Sequence, residues 1–308
     1  MIEVEHISKR YGDTLAVDDL TFHVRPGIVT GFLGPNGAGK STTMRLIVGL
    51  DRPTHGAATV NGRRYRDHGA PLYEVGTMLE ARAIHTGRSA YHHLLAMAQT
   101  NGIPERRVAE VIELVGLEGV ARKRVGGFSL GMGQRLGIAA ALLGDPPVLI
   151  LDEPSNGLDP EGILWIRNLL KGLAREGRTV FLSSHLMSEI ALTADQLIVV
   201  GRGRLIADAS VADVVAQAST NAAVHVRSEA AETLRGALVR PGVDVRALDP
   251  GLLEVHGLTG RQIGEIALEE GIVLDELTPQ QASLEDAFMA LTGDAVDYRA
   301  AAPAGELA

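Results

Sequence analysis

Gly34-Pro35-Asn36-Gly37-Ala38-Gly39-Lys40-Ser41-Thr42 reads as a P-loop. The apolar run 28–33 ahead of it predicts a buried strand, and 43–50 behind it predicts a helix, the context the motif needs. The glycines let successive backbone N–H groups turn inward without a Cβ clash, making a nest for β-phosphate oxygens. The positive end of the following helix dipole adds to the attraction. On this reading Lys40 reaches the β- and γ-phosphates and the Ser41 hydroxyl sits on Mg²⁺. A Gly-rich strand-to-helix turn with no ligand is the plain alternative, and further motifs have to decide.

Composition narrows the field. The 308 residues, 45% of them hydrophobic, supply a sizeable core for one large domain or two smaller ones. A net charge of −9, with 38 acidic against 29 basic side chains, argues against a nucleic-acid-binding surface. The absence of cysteine excludes disulfides and thiolate metal sites. The first residues, Met1-Ile2-Glu3-Val4-Glu5, lack the layout of a signal peptide. The strongest apolar stretch, 136–143, is too short to cross a bilayer. The expectation is a soluble, cytoplasmic chain.

Working outward, 2–7 and 20–24 alternate like half-buried strands, with Lys9-Arg10-Tyr11-Gly12 between them. Tyr11 could stack on a purine, a contact worth about 1–3 kcal/mol by analogy with base stacking, or simply pack at a strand end. Residues 75–79 predict a strand ending at Glu80. From 89 to 144 the character is helical, with Val108, Val111, Ile112 and Val115 on one face. His92 and His93 lack partners at ligand spacing and read as surface or interface residues. Gly126–Arg135 is a second Gly-rich turn feeding a helix. Val148-Leu149-Ile150-Leu151 then predicts a buried strand whose carboxyl end carries Asp152 and Glu153, where open α/β sheets bind ligands. One acid can hold Mg²⁺ and its neighbour can polarise an attacking water. The next buried strand, 179–182, leads into Ser183-Ser184-His185, and 196–200 closes the sheet. Beyond a boundary at 218–220, strands at 223–226, 243–248, 252–255 and 272–277 alternate with helices at 230–238 and 261–271. That order is β-α-β-β-α-β. A last helix is expected over 283–292, and a disordered tail over 295–308.

In this order the motifs resemble the ATP-binding subunit of an ABC transporter over residues 1 to about 215. Residues 34–42 match the Walker A loop and 148–153 match Walker B. Residues 128–132 stand where the family signature stands, Asp159 falls in the D-loop, His185 is the switch histidine and Tyr11 is the adenine-stacking aromatic. The implied architecture is α/β: a P-loop NTPase ABC ATPase core with antiparallel β and helical subdomains, plus a small α+β, ferredoxin-like C-terminal domain. The domains expected are 1–217, with the helical subdomain at about 88–145, and 221–294.

The resemblance implies ATP and Mg²⁺ as cofactors and a head-to-tail homodimer or paired ATPase, each ATP lying between one P-loop and the other subunit's signature. Gly34, Asn36, Gly37, Gly39, Lys40, Ser41 and Thr42 would hold the nucleotide, with Ser129, Gly131 and Asp159 reaching it from the partner. Ser41 and Asp152 would be the Mg²⁺ ligands, with Glu80 a third metal candidate, Glu153 the general base, and His185 and Lys40 γ-phosphate contacts. Two departures stand out. The signature is Phe-Ser-Leu-Gly-Met rather than Leu-Ser-Gly-Gly-Gln, and Glu80 replaces the Gln of the Q-loop. An acid there can bind a cation but cannot donate as an amide does. Both variants resemble the antibiotic-exporter branch, typified by daunorubicin-, bacitracin- and lantibiotic-resistance ATPases. That branch works through a separate integral membrane permease, on the inner face of the cell membrane. The rivals are a P-loop GTPase, which lacks its Asn-Lys-x-Asp motif here, a non-enzymatic ATP-sensing module, and a soluble ABC ATPase of translation or DNA repair. The last would bring tandem cassettes or long coiled coils.

Overall fold

The computed structural model describes residues 1–80, 84–219, 223–280 and 284–292. The expected 295–308 tail and the start of the last helix, Ser283, lie outside them. One compact unit is formed by Met1–Ser210 together with the last described residues, 291–292, and a second by Val211–Ala290, so the final helix, Leu284–Thr292, begins in the second and ends in the first.

The first unit opens with a hairpin, β1 (Ile2–Tyr11) and β2 (Thr14–Val24), then β3 (Val29–Leu33), α1 (Lys40–Ile47) and β4 (His55–Val60). Strands pair antiparallel in the order β2-β1-β4. β1 and β2 run longer than their alternation predicts. His6 and Asp19 take left-handed backbone (φ 48° and 51°) and the register slips between Val4 and Ile7. Such a bulge breaks the two-residue period while the strand continues.

After α2 (Pro71–Glu74) and β5 (Val75–Met78) come three helices, α3 (Ala90–Thr100), α4 (Glu105–Leu114) and α5 (Leu130–Leu142). They form the helical segment expected between 89 and 144. The chain then alternates through β6 (Val148–Leu151), α6 (Pro160–Arg175), β7 (Thr179–Ser183), α7 (Met187–Thr193), β8 (Gln196–Gly201) and β9 (Arg204–Ser210). The six-stranded sheet has the order β5-β6-β7-β3-β8-β9, parallel up to β8 with β9 antiparallel at the edge. β3, β6 and β7 are buried at every position, as a parallel sheet covered on both faces requires. Phe22, Phe32 and Phe181 meet in a tilted cluster with ring centroids 5.1–5.8 Å apart, joining the two sheets through one core. The Arg135 guanidinium on α5 lies 4.4 Å over the ring of Trp165 on α6 and donates to the Val115 carbonyl.

The second unit holds α8 (Val211–Ser219), β10 (Val224–Arg227), α9 (Ala231–Leu238), β11 (Asp244–Asp249), β12 (Leu252–His256), α10 (Gly260–Glu269) and β13 (Glu276–Pro279), with α11 (Leu284–Thr292) at its end. Its sheet is antiparallel throughout, in the order β11-β12-β10-β13. Val226, Leu234, Leu238, Val255 and Ile263 are fully buried in a core of their own. The last strand is displaced from its expected place at 272–277. Gly271 turns left-handed (φ 65°) and the Ile272 N–H still bonds back to Ala267, so ladder pairing starts only at Asp275, whose N–H reaches the Arg227 carbonyl. Ile272 and Leu274 pack on the core from the connecting loop, which is why they mimic a strand in the sequence.

Candidate active site

The sheet order decides which loops meet. β7 lies between β3, which feeds the P-loop, and β6, which ends at the acids, so three strand ends deliver their side chains to one edge. In the P-loop, Gly37 and Gly39 have φ of 82° and 95°, backbone that other residues resist. A Cβ on Gly39 would stand 2.5 Å from the Ala16 carbonyl. Asn36 is at the exposed tip and Gly34 is buried beneath it. Lys40, half-buried, donates from Nζ to the carbonyls of Gly34 (2.6 Å) and Pro35 (3.2 Å). Burial lowers its pKa, and Glu153 and then Asp152 pull the other way.

Ser41 Oγ donates to Asp152 Oδ2 at 2.8 Å, so two of the three expected Mg²⁺ ligands stand together. Ser183, at the end of β7, donates to the other oxygen of Asp152 and accepts the Glu153 N–H at 3.0 Å. Glu153 itself occupies left-handed backbone (φ 51°), which costs a non-glycine residue roughly 1–2 kcal/mol. Its Oε2 accepts from the His185 backbone N–H at 3.2 Å and lies 2.6 Å from His185 Nδ1. The second bond gives Nδ1 the proton in the neutral ring. The Glu153 carbonyl accepts from the side-chain amide of Gln134 at 2.7 Å.

Ser129 caps α5, its Oγ accepting from the Met132 N–H at 3.2 Å, and Asp159 caps α6, accepting from Gly162 at 2.9 Å. The described contacts of Gly131 are with Gly157 and Leu158, in the turn after Glu153. Ser129 and Asp159 are exposed, and the approach of Gly131 to Gly157 and Leu158 brings the start of α5 beside the turn that leads to Asp159.

Tyr11 sits exposed at the end of β1. Its Oη donates to Asp51 Oδ2 at 2.8 Å, the same oxygen that takes Nε of Arg45 at 2.8 Å, and Lys9 Nζ lies 4.7 Å from the ring centre. Burial, then the bond to Asp51, raises the Tyr11 pKa, while the Thr42 hydroxyl acts in the opposite sense. Glu80 follows β5 at an exposed position, and the described contacts do not join it to Ser41 or Asp152. The cation that feels it is Arg45, whose pKa is raised chiefly by Asp51 and only lastly by Glu80. His92 bonds Ser89 Oγ at 2.8 Å as part of a helix cap, and among the described residues no group of three His, Asp or Glu side chains is arranged around a metal.

A family model described as ABC transporter matches residues 17–156, and one described as a domain of unknown function matches 222–285. Bacitracin transport ATP-binding protein BcrA of Bacillus licheniformis is 36% identical over 301 residues, covering 95% of this chain and 97% of that protein. The chain belongs to the ATP-binding subunits of ABC transporters. It binds ATP and hydrolyses it. Lantibiotic transport ATP-binding protein SrtF of Streptococcus pyogenes is 36% identical over 67% of this chain and 89% of its own length. The fold is that of the ATP-binding cassette MJ0796, solved as a dimer bound to ADP and Pi, with a TM-score of 0.63 at 21% identity over 68% of this chain and 99% of that one.

Asp51 and Arg45 have no part in the sequence reading, and Ser183 and Gln134 appear there only within longer stretches, with no role of their own. For Ser183 the available signal was its position at the end of β7, two residues before His185. Asp51 and Arg45 act through contacts across 40 and 6 residues, which no local pattern reports.

Proposed function

We propose that this ABC ATPase powers export of an antibiotic or another hydrophobic small molecule through a separate integral membrane permease. Likeness along nearly the whole chain to BcrA, and over the cassette to SrtF, supports the cargo class. The same relatives are transport subunits, which favours transport over a role in translation or DNA repair. No helix among the described residues is long and apolar enough to cross a membrane. Likeness to transport ATP-binding subunits supports a location on the cytoplasmic face of the cell membrane, held there by the permease.

The observation that carries the catalytic reading is the Glu153 carboxylate, fixed by the His185 ring and backbone beside the Ser41–Asp152 pair. Glu153 orients the attacking water and takes its proton as the oxygen bonds the γ-phosphorus and the bond to the ADP oxygen breaks. His185 holds that carboxylate in place and faces the γ-phosphate. Lys40, together with the inward N–H groups of Gly37 and Gly39, binds the β- and γ-phosphates. Tyr11 stacks on adenine, and Thr42 adjoins its hydroxyl. Ser41 and Asp152 form a hydroxyl–carboxylate oxygen pair of the type that suits Mg²⁺. Bound there, Mg²⁺ neutralises charge on the phosphate oxygens.

Ser129, Gly131 and Asp159 form the surface for the nucleotide of a second copy. The dimeric state of the MJ0796 cassette supports that assembly. The cassette is assigned to 1–217 and the accessory domain to 221–294. The strand order β11-β12-β10-β13 and the two crossover helices support a ferredoxin-like accessory domain.

Glu153→Gln tests the site. Turnover should fall by about a hundred-fold or more, as for loss of a well-placed base, while calorimetry shows ATP still bound. Hydrolysis near the wild-type rate overturns the assignment.

A further inference from the structure

Gln134 is a polar side chain 2% exposed, on the second turn of α5, and its amide is spent on one backbone atom, the carbonyl of Glu153. That carbonyl takes a second donor, the Asn156 N–H at 3.1 Å, so the peptide after Glu153 is held from both sides. The residue so held is the one whose backbone is left-handed (φ 51°) and whose carboxylate faces His185. One turn earlier on the same helix, contact is equally tight. A Cβ on Gly131 would lie 3.0 Å from the Gly157 carbonyl, and one on Gly157 only 2.2 Å from Leu130. The first two turns of α5 are thereby keyed to residues 153–158.

We propose that Gln134 is a positioning residue that reports the nucleotide state at its own chain's Ser129 surface to that chain's Glu153. The inference rests on the reading above, in which Ser129 meets the partner's ATP and Glu153 serves the chain's own. A helix moves as a rigid rod, so a small displacement at the Ser129 cap is carried to Gln134 and pulls the Glu153 carbonyl. A strained backbone needs its supports, and without the amide Glu153 relaxes and its carboxylate leaves the water-orienting position. Each site then fires at full rate only when the other is filled, and hydrolysis is cooperative in ATP.

The test measures ATP hydrolysis against ATP concentration in the full-length chain, with ATP binding followed separately by calorimetry. Gln134→Met removes the donor and keeps the length. Its kcat should fall about ten- to a hundred-fold, the range for a misplaced catalytic group, with ATP affinity unchanged and the Hill coefficient brought from above 1 to 1. Gln134→Glu sets a carboxylate against the carbonyl and can donate only when protonated. Its activity relative to wild type should recover as pH falls, a profile that a purely structural role would not produce. The Glu variant decides the matter if the Met variant does not fold. A wild-type Hill coefficient of 1, an unchanged kcat in Gln134→Met, or a Gln134→Glu activity ratio flat with pH overturns the inference. If Glu153→Gln is inactive while Gln134→Met behaves as wild type, this inference alone fails. Full turnover by Glu153→Gln removes the general base, and this inference with it.

Discussion

Lys40 spends its ammonium on two backbone carbonyls of its own loop. Burial is the largest influence on it and lowers its pKa, against the pull of Glu153 and Asp152. The sign of the linkage follows. Below the lowered pKa the ammonium carries a desolvation cost in the folded state. Between that pKa and the ordinary value of 10.5 the unfolded chain binds more protons, so the cost is relieved as pH rises. A triphosphate supplies the negative charge the site lacks and pushes the pKa back up. ATP binding at alkaline pH should therefore take up protons. Calorimetry in buffers of different ionisation enthalpy measures this, and Lys40→Ala should abolish both the uptake and most of the affinity. The turn around Lys40 was legible because a P-loop is a local pattern, its geometry written in neighbouring residues. The anchoring of Tyr11 by Asp51 was not, because the two are joined only by the fold.

Elements were legible where their periodicity was undisturbed. β3, β6 and β7 are apolar at most positions and stood out, as did the one-sided face of α4. β1 and β2 were read short because bulges at His6 and Asp19 interrupt the alternation. β13 was read early because the apolar residues of the preceding loop fill the core. The start of α5 shows a constraint of a different kind. Gly157 combines φ 74° with a near-contact to Leu130, so a side chain there is strained twice. Gly157→Ala should lower stability by about 1–3 kcal/mol in denaturant melts and reduce hydrolysis. Adding Leu130→Ala should return part of the loss. A strictly additive double mutant would show that the two residues do not press on each other.

On the scale of the molecule, one core among the described residues lies around the Phe22–Phe32–Phe181 cluster and another around Val226, Leu234 and Val255. The sequence puts a boundary at 218–220, whereas the compact units part between Ser210 and Val211, because α8 belongs with the second unit. Separate cores predict separate responses. Leu234→Ala empties a fully buried position in the second unit and should destabilise that unit by about 2–5 kcal/mol, seen by calorimetry, with ATP affinity unchanged. The lone indole of the chain, Trp165, belongs to the first unit and carries the Arg135 guanidinium of α5 across its face. Its emission is consequently a built-in optical gauge. Without any attached dye it senses α5, the helix that Ser129 caps.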